Sequence, residues 1–159
     1  MKKIGLLFGS FNPLHNGHVM LAEAAQNDLE LDEVWVVVQR DNVYKPVFEF
    51  LDYQARKQLI TDSGLKLFES ESTDYAHLIL ETIKEIKDHN ITLVLGEDLI
   101  ASFSQWVDYD EIRNRASIYE SHRIDGISSG QIRDRLRKKQ SIDDLVPPAV
   151  ANYLAQHLR

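Results

Sequence analysis

The 159-residue chain contains no cysteine, which removes disulfides, thiolate nucleophiles, Cys-ligated zinc and iron–sulfur centres from consideration. Long apolar runs are missing too. The longest, Val34-Trp35-Val36-Val37-Val38, is far short of the ~20 residues that a membrane-spanning helix needs. Basic residues are in the minority: 18 Lys and Arg against 25 Asp and Glu leave a formal charge of −7. That balance argues against coating a nucleic acid polymer or binding an anionic membrane, but it does not exclude one phosphate-sized basic pocket. No repeat, low-complexity tract or linker-like shift in composition divides the chain. Lys2 and Lys3 precede an apolar stretch, yet Gly9, Ser10, Asn12 and Pro13 interrupt it and no small-residue cleavage site follows. With 43% hydrophobic and 27% charged residues, the expectation is one cytoplasmic globular domain over residues 1–159.

What the chain does have is an alternation of two periodicities. Ile4–Phe8, Val34–Val38 and Ile91–Leu95 are short, nearly continuous apolar runs, the pattern of strands buried on both faces. Leu65–Phe68 and Ser117–Tyr119 are weaker strand candidates. Between them lie helical patterns: Gly17 to about Leu29 (Leu21, Ala25, Leu29), Asp52 to about Thr61, and Tyr75–Lys87 with Leu78, Ile79, Thr82, Ile83 and Ile86 on one side. Leu99–Phe103, Tyr109–Arg113, Ser129 to about Lys138, and Pro148–His157 complete them. Strands alternating with helices predict βαβ units. The fold class is therefore α/β, a Rossmann-like, doubly wound, mostly parallel sheet with a C-terminal helical segment. Such sheets bind ligands beyond the carboxyl ends of the strands, at a topological switch point. That rule singles out the residues after the first strand and those after Leu95.

The first of these segments is Gly9-Ser10-Phe11-Asn12-Pro13-Leu14-His15-Asn16-Gly17-His18. It runs from a strand into a helix start, whose unpaired N–H groups and positive dipole end suit an anion. Gly9 and Gly17 leave room for a tight turn or a close ligand. His15 and His18 lie one turn apart and can donate to phosphoryl oxygens. The same two residues could instead be caps, a core histidine in line with Leu21 and Ala25, or half of a metal site. His77, His89, His122 and His157 are scattered and supply no third ligand in the linear pattern.

This segment resembles the first motif of the nucleotidylyltransferase superfamily, Gly-Thr-Phe-Asp-Pro-x-His-x-Gly-His. Ile127-Ser128-Ser129-Gly130-Gln131-Ile132-Arg133 resembles the second, Ile-Ser-Ser-Thr-x-Ile-Arg. Within the superfamily the chain is most similar to bacterial nicotinate-nucleotide adenylyltransferases. Leu95-Gly96-Glu97-Asp98, Trp106, the Tyr109–Ile112 helix and Leu145–Val150 with Tyr153 extend the likeness over nearly the whole chain. Phe8, Asn12 and Gly130 depart from the pattern, and the segment from Ser121 to Gly126 is shorter than the family's insertion there. The family's Pro-His-Lys loop is echoed only by Tyr44-Lys45-Pro46.

The resemblance implies transfer of the adenylyl group of ATP to nicotinate mononucleotide, giving the dinucleotide precursor of NAD and pyrophosphate. Another phosphate acceptor (nicotinamide mononucleotide or phosphopantetheine) and a non-catalytic nucleotide-binding module are the alternatives. It also implies roles. His15, His18 and Arg133 would act on the phosphates, and Gly9, Ser10, Phe11, Gly96, Asp98, Ile127, Ser128 and Ser129 would join them in binding ATP. Lys45 and Trp106 would meet the acceptor. Each has a plainer reading as well: Ser128, Ser129 and Asp98 as helix caps, Lys45 as a solvent-facing lysine, Trp106 as core. The chemistry needs no protein nucleophile, only positioning and charge stabilisation. Mg2+ would arrive with ATP, without a dedicated protein metal site. A homo-oligomer is compatible with the sequence.

Overall fold

The apolar runs become strands β1 (Lys3–Gly9), β2 (Glu33–Val38) and β4 (Asn90–Leu95), with shorter β3 (Lys66–Leu67) and β5 (Ser117–Glu120) at the margins. In the computed structural model, which describes residues 1–40, 50–74, 76–121 and 126–157, they form one sheet in the order β3-β2-β1-β4-β5. Every neighbouring pair is parallel. The predicted helices appear as α1 (Asn16–Leu29), α2 (Tyr53–Asp62), α3 (Leu78–Glu85), α4 (Glu97–Phe103), α5 (Tyr109–Arg115), α6 (Ser129–Arg137) and α7 (Pro148–His157). The expected α/β, doubly wound, Rossmann-like architecture with a C-terminal helical segment is the one observed.

Side-chain alternation explains why the central strands are apolar throughout. Ile4, Leu6 and Phe8 of β1, with Leu93 and Leu95 of β4, face one way onto Ile83, Phe103 and Ile112 of α3, α4 and α5. Leu7, Val36, Val38 and Val94 face the other way onto Ala25, Leu59, Ile132 and Leu154 of α1, α2, α6 and α7. Period-two geometry thus fills a core on each side of the sheet.

Two expectations need correction. In α1, Leu29 is 38% exposed, and the buried positions are Gly17, Ala22, Ala24 and Ala25. Small residues let the helix lie close to the sheet. The large apolar side chain comes after the turn, as buried Leu31 beyond the left-handed Glu30 (φ 51°). The third helix begins at Leu78, three residues later than the periodicity suggested, and it buries Leu80 more fully than Ile79. It packs on α5 as well as on the sheet, so the stripe it covers is wider than one face.

The order of the strands places the site. The chain winds from β1 through β2 to β3 on one side, then crosses back to β4 and β5 on the other. The loops leaving β1 and β4 therefore diverge and open a crevice between them. The connection between α6 and α7 ties onto the start of α1: the Asn16 N–H donates to the Leu145 carbonyl (2.8 Å) and the Asn16 amide to the Asp144 carbonyl (3.2 Å). Among the described residues, no helix is long and apolar enough to cross a membrane.

Candidate active site

A cavity of about 600 Å³ occupies that crevice. Its walls come from the end of β1 and the following turn (Gly9, Ser10, Phe11), the start of α1 (His15, His18), the end of β4 (Gly96) and the start of α6 (Ile127, Ser128, Ser129). Segments more than 100 residues apart in sequence thus share one space.

The turn after β1 is held in an unusual shape. Phe11 has φ 50°, in the left-handed region that non-glycine residues rarely occupy. Its ring folds back beneath the strand end, where a Cβ on Gly9 would stand 3.1 Å from it. A side chain at position 9 would require that ring to shift by a few tenths of an ångström. Phe11 is buried and meets His18 edge-on, with ring centroids 4.7 Å apart. The Asn12–Pro13 peptide is cis.

His15 and His18 cap α1 reciprocally. The Gly17 N–H donates to His15 Nδ1 (3.0 Å), and the His15 N–H donates to His18 Nδ1 (3.1 Å). An Nδ1 that accepts a backbone N–H cannot carry the ring proton, so each neutral ring carries it on Nε2. The rings stack at 3.7 Å between centroids, 23° from parallel. Burial, and secondarily the adjacent His15, push the His18 pKa well below the ordinary imidazole value. The capping reading and the phosphate-donor reading therefore describe opposite edges of the same rings.

The second motif begins just after Gly126, whose φ of 72° suits glycine. Ser128 is the N-cap of α6, its Oγ accepting the Gln131 N–H (3.1 Å), a cap worth ~1 kcal/mol. Ser129 does something different: its Oγ donates to the Pro13 carbonyl (3.0 Å). Arg133, one turn on, donates from Nη1 to the Asn12 carbonyl (2.9 Å). Two hydrogen bonds thus fasten α6 directly to the turn after β1. Buried Ile132 anchors the helix on the core beneath.

The other expected site residues are less closely gathered. Arg133 stands beside the cavity rather than among its lining residues. Asp98 falls within α4 between Gly96 and Leu99, which both line the cavity; its side chain, like the whole of Lys45, lies outside the described residues. Trp106 is not in the lining. Its Nε1 donates to Ser102 Oγ (3.1 Å), and its ring packs 5.0 Å from that of Phe103.

One residue beside the site belongs to neither motif. Arg56 of α2 is only 2% exposed, and it donates to the carbonyls of Ser10, Gln39 and Leu51. Its position is its only local signal: Arg56 lies three and four residues before Leu59 and Ile60, on the buried stripe of α2. Asn12 adds a parallel tie, its Oδ1 accepting the Leu51 N–H (3.0 Å).

The family model for cytidylyltransferase-like proteins matches residues 6–142. Among curated relatives, one from Flavobacterium johnsoniae, named "Probable nicotinate-nucleotide adenylyltransferase", is 30% identical, with 96% of this chain and 95% of that protein covered. One of the same name from Cytophaga hutchinsonii is 31% identical over 80% of this chain and 71% of its own. Among solved structures, one from Vibrio parahaemolyticus, provisionally assigned as a nicotinate-nucleotide adenylyltransferase, superposes with a TM-score of 0.74 at 26% identity, covering 98% of this chain and 99% of that one. A nicotinic acid mononucleotide adenylyltransferase from Plasmodium falciparum shares the fold at the same TM-score and 22% identity, over 99% and 96% of the two chains. With both motifs converging on one cavity at the switch point of a parallel sheet, and with a family match spanning most of its length, the chain belongs to the cytidylyltransferase-like family and is an enzyme of the nucleotidyltransferase class.

Proposed function

We propose that this enzyme transfers the adenylyl group of ATP to nicotinate mononucleotide, releasing pyrophosphate and forming the dinucleotide precursor of NAD. The observation that carries the reading is the stacked pair His15–His18, with Nε2 as the proton-bearing edge, sharing one cavity with the N-terminus of α6. The names of the curated relatives support the choice of acceptor.

In this reading the acceptor's phosphate oxygen attacks the α-phosphorus of ATP in line. A new P–O bond forms there, and the bond from the α-phosphorus to the bridging oxygen breaks as pyrophosphate departs. The protein supplies donors and no nucleophile. His15 and His18 donate to the oxygens where charge builds up, and the Ser10 segment borders the same phosphates. The free N–H groups at the start of α6, with Ser129 and Arg133 beside them, receive the β- and γ-phosphates. A neutral His18 suits this role, because it holds a donor in place without needing a counter-charge in the ground state. Gly9, Phe11 and Ile127 shape the walls, Gly96 and Asp98 border the ribose, and Lys45 and Trp106 are assigned to the acceptor.

Among the described residues, no group of three or more His, Asp or Glu is placed to hold a metal ion. Mg2+ in this reading belongs to the substrate, entering as Mg-ATP through phosphate and water ligands.

The test is to incubate the purified protein with Mg-ATP and, separately, nicotinate mononucleotide, nicotinamide mononucleotide and 4′-phosphopantetheine, following pyrophosphate and the adenylylated product. Nicotinate mononucleotide should give the highest kcat/KM. Preference for either of the others would overturn the choice of acceptor, and no release with any would overturn the catalytic reading.

A further inference from the structure

We propose that Arg56 is a positioning residue for ATP, setting the shape of the phosphate-binding turn from behind the cavity wall. The inference rests on the ATP-binding reading above and extends it to a residue that does not line the cavity.

Burying a guanidinium is costly. One that is 2% exposed has given up nearly all its water, which is tolerable only where protein acceptors replace the lost hydration. Those acceptors come from three separate stretches of backbone. Nη1 donates to the Ser10 carbonyl (2.9 Å) and also to the Gln39 carbonyl (2.9 Å), and Nε donates to the Leu51 carbonyl (3.2 Å). One nitrogen thus pins the residue that follows β1 to the residue that follows β2. The Gln39 N–H donates back to the Gly9 carbonyl (2.8 Å), closing the same seam. Both Ser10 and Gln39 line the cavity.

The geometry suits arginine specifically. A planar guanidinium offers five donors in a fixed fork, whereas an ammonium is a point charge on a flexible stem. The residue is set in place by the start of its own helix: Asp52 Oδ1 caps α2 by accepting the Ala55 N–H (2.7 Å), and the Arg56 guanidinium lies 5.7 Å from the centre of the Tyr53 ring. Its pull on the Ser10 carbonyl orients the peptide groups between Gly9 and Phe11. These are the groups that meet the phosphates, and Phe11 already sits at an uncommon φ that neighbouring contacts must maintain. An orienting contact of this kind matters out of proportion to its distance from the chemistry, because a misplacement of ~1 Å can cost ~100-fold in rate.

The experiment compares wild type with Arg56→Lys, which keeps the charge and loses the fork, by calorimetric titration with Mg-ATP and by thermal melting. The expected result is a folded variant whose Kd for Mg-ATP rises about tenfold, the scale of one lost charged hydrogen bond, with kcat/KM for ATP falling in parallel. A purely structural role would instead lower the fraction of binding-competent protein and leave Kd unchanged, which would overturn the inference. Arg56→Gln, which retains a planar donor group, should bind ATP no more tightly than Arg56→Lys; wild-type affinity in either folded variant would also overturn it. Wild-type protein that fails to bind Mg-ATP at all would overturn the underlying ATP reading, an outcome distinct from equal affinities.

Discussion

Replacing His18 by Asn separates two jobs performed by one ring. The Nδ1 edge accepts the His15 N–H at 3.1 Å and completes the cap of α1, while the Nε2 edge carries the proton. An Asn side chain places Oδ1 close to where Nδ1 was, so the cap survives, and nothing extends to where Nε2 was. The remaining stability cost is chiefly the stack on His15 and the edge contact with Phe11, centroids 3.7 and 4.7 Å away. Such contacts contribute ~1 kcal/mol, or about 2–4 °C in melting temperature for a chain of this size. Under the proposed role the catalytic cost is far larger. Loss of one donor aimed at developing charge lowers kcat ~100- to 1,000-fold, or ~2.7–4 kcal/mol. His18→Gln reverses the trade, placing an amide nitrogen near the former Nε2, and should recover about tenfold over His18→Asn if one donor is the source of the effect. Pyrophosphate release with Mg-ATP and nicotinate mononucleotide measures turnover, and a thermal melt measures the fold. A well-folded His18→Asn protein within about threefold of wild-type turnover would refute the proposed role of the ring.

Other expectations concern pH and the core. Because burial holds the His18 pKa well below the ordinary 6.5, the unfolded chain takes up a proton first as pH falls. Stability should therefore decline below about pH 6.5, by at most ~1.4 kcal/mol per pH unit from this group, and His18→Gln should flatten that slope in urea titrations. His77 has the opposite sign. Its ring, 2.7 Å from the Asp108 carboxylate between α3 and α5, has a raised pKa through that hydrogen bond and charge. Its contribution is present in full below the ordinary value of 6.5 and fades as pH rises through the raised value. His77→Ala and wild type should therefore converge at alkaline pH; a constant gap would refute the linkage. Ile132, fully buried on the inner face of α6, should cost ~2–5 kcal/mol on replacement by Ala, measured by urea unfolding. Ser129→Ala removes the donor to the Pro13 carbonyl. It should weaken Mg-ATP binding several-fold, about 1 kcal/mol, with little change in melting temperature; unchanged affinity would show that this bond does not hold the site.

Much of the fold was legible because its signals are local. A strand buried on both faces must be apolar at consecutive positions, so Ile4–Phe8 and Ile91–Leu95 could be little else. Asp52 and Ser128 marked helix starts because short polar side chains satisfy the first N–H groups. The two motifs were legible through resemblance, since each is a run of residue types within a few consecutive positions. What misled was periodicity without context. Leu29 fits the spacing of α1 yet is exposed at its last position, and in α3, which also packs on α5, Leu80 is buried where Ile79 is only partly so.

Read alone, the linear sequence determined that β- and α-periods alternate, that no thiol chemistry is available, and that two separated segments resemble the motifs of one superfamily. Each of these depends on neighbours a few bonds apart. Only the tertiary structure decided that the segments meet, through Ser129 and Arg133 reaching carbonyls of Pro13 and Asn12 across 116 and 121 residues. It alone assigned the ring protons of His15 and His18, because a tautomer follows from the hydrogen bond at the opposite nitrogen. It also gave Arg56 its partners: helical spacing with Leu59 and Ile60 puts the residue on the inner face of α2, but only the fold brings the Ser10 and Gln39 carbonyls to its guanidinium.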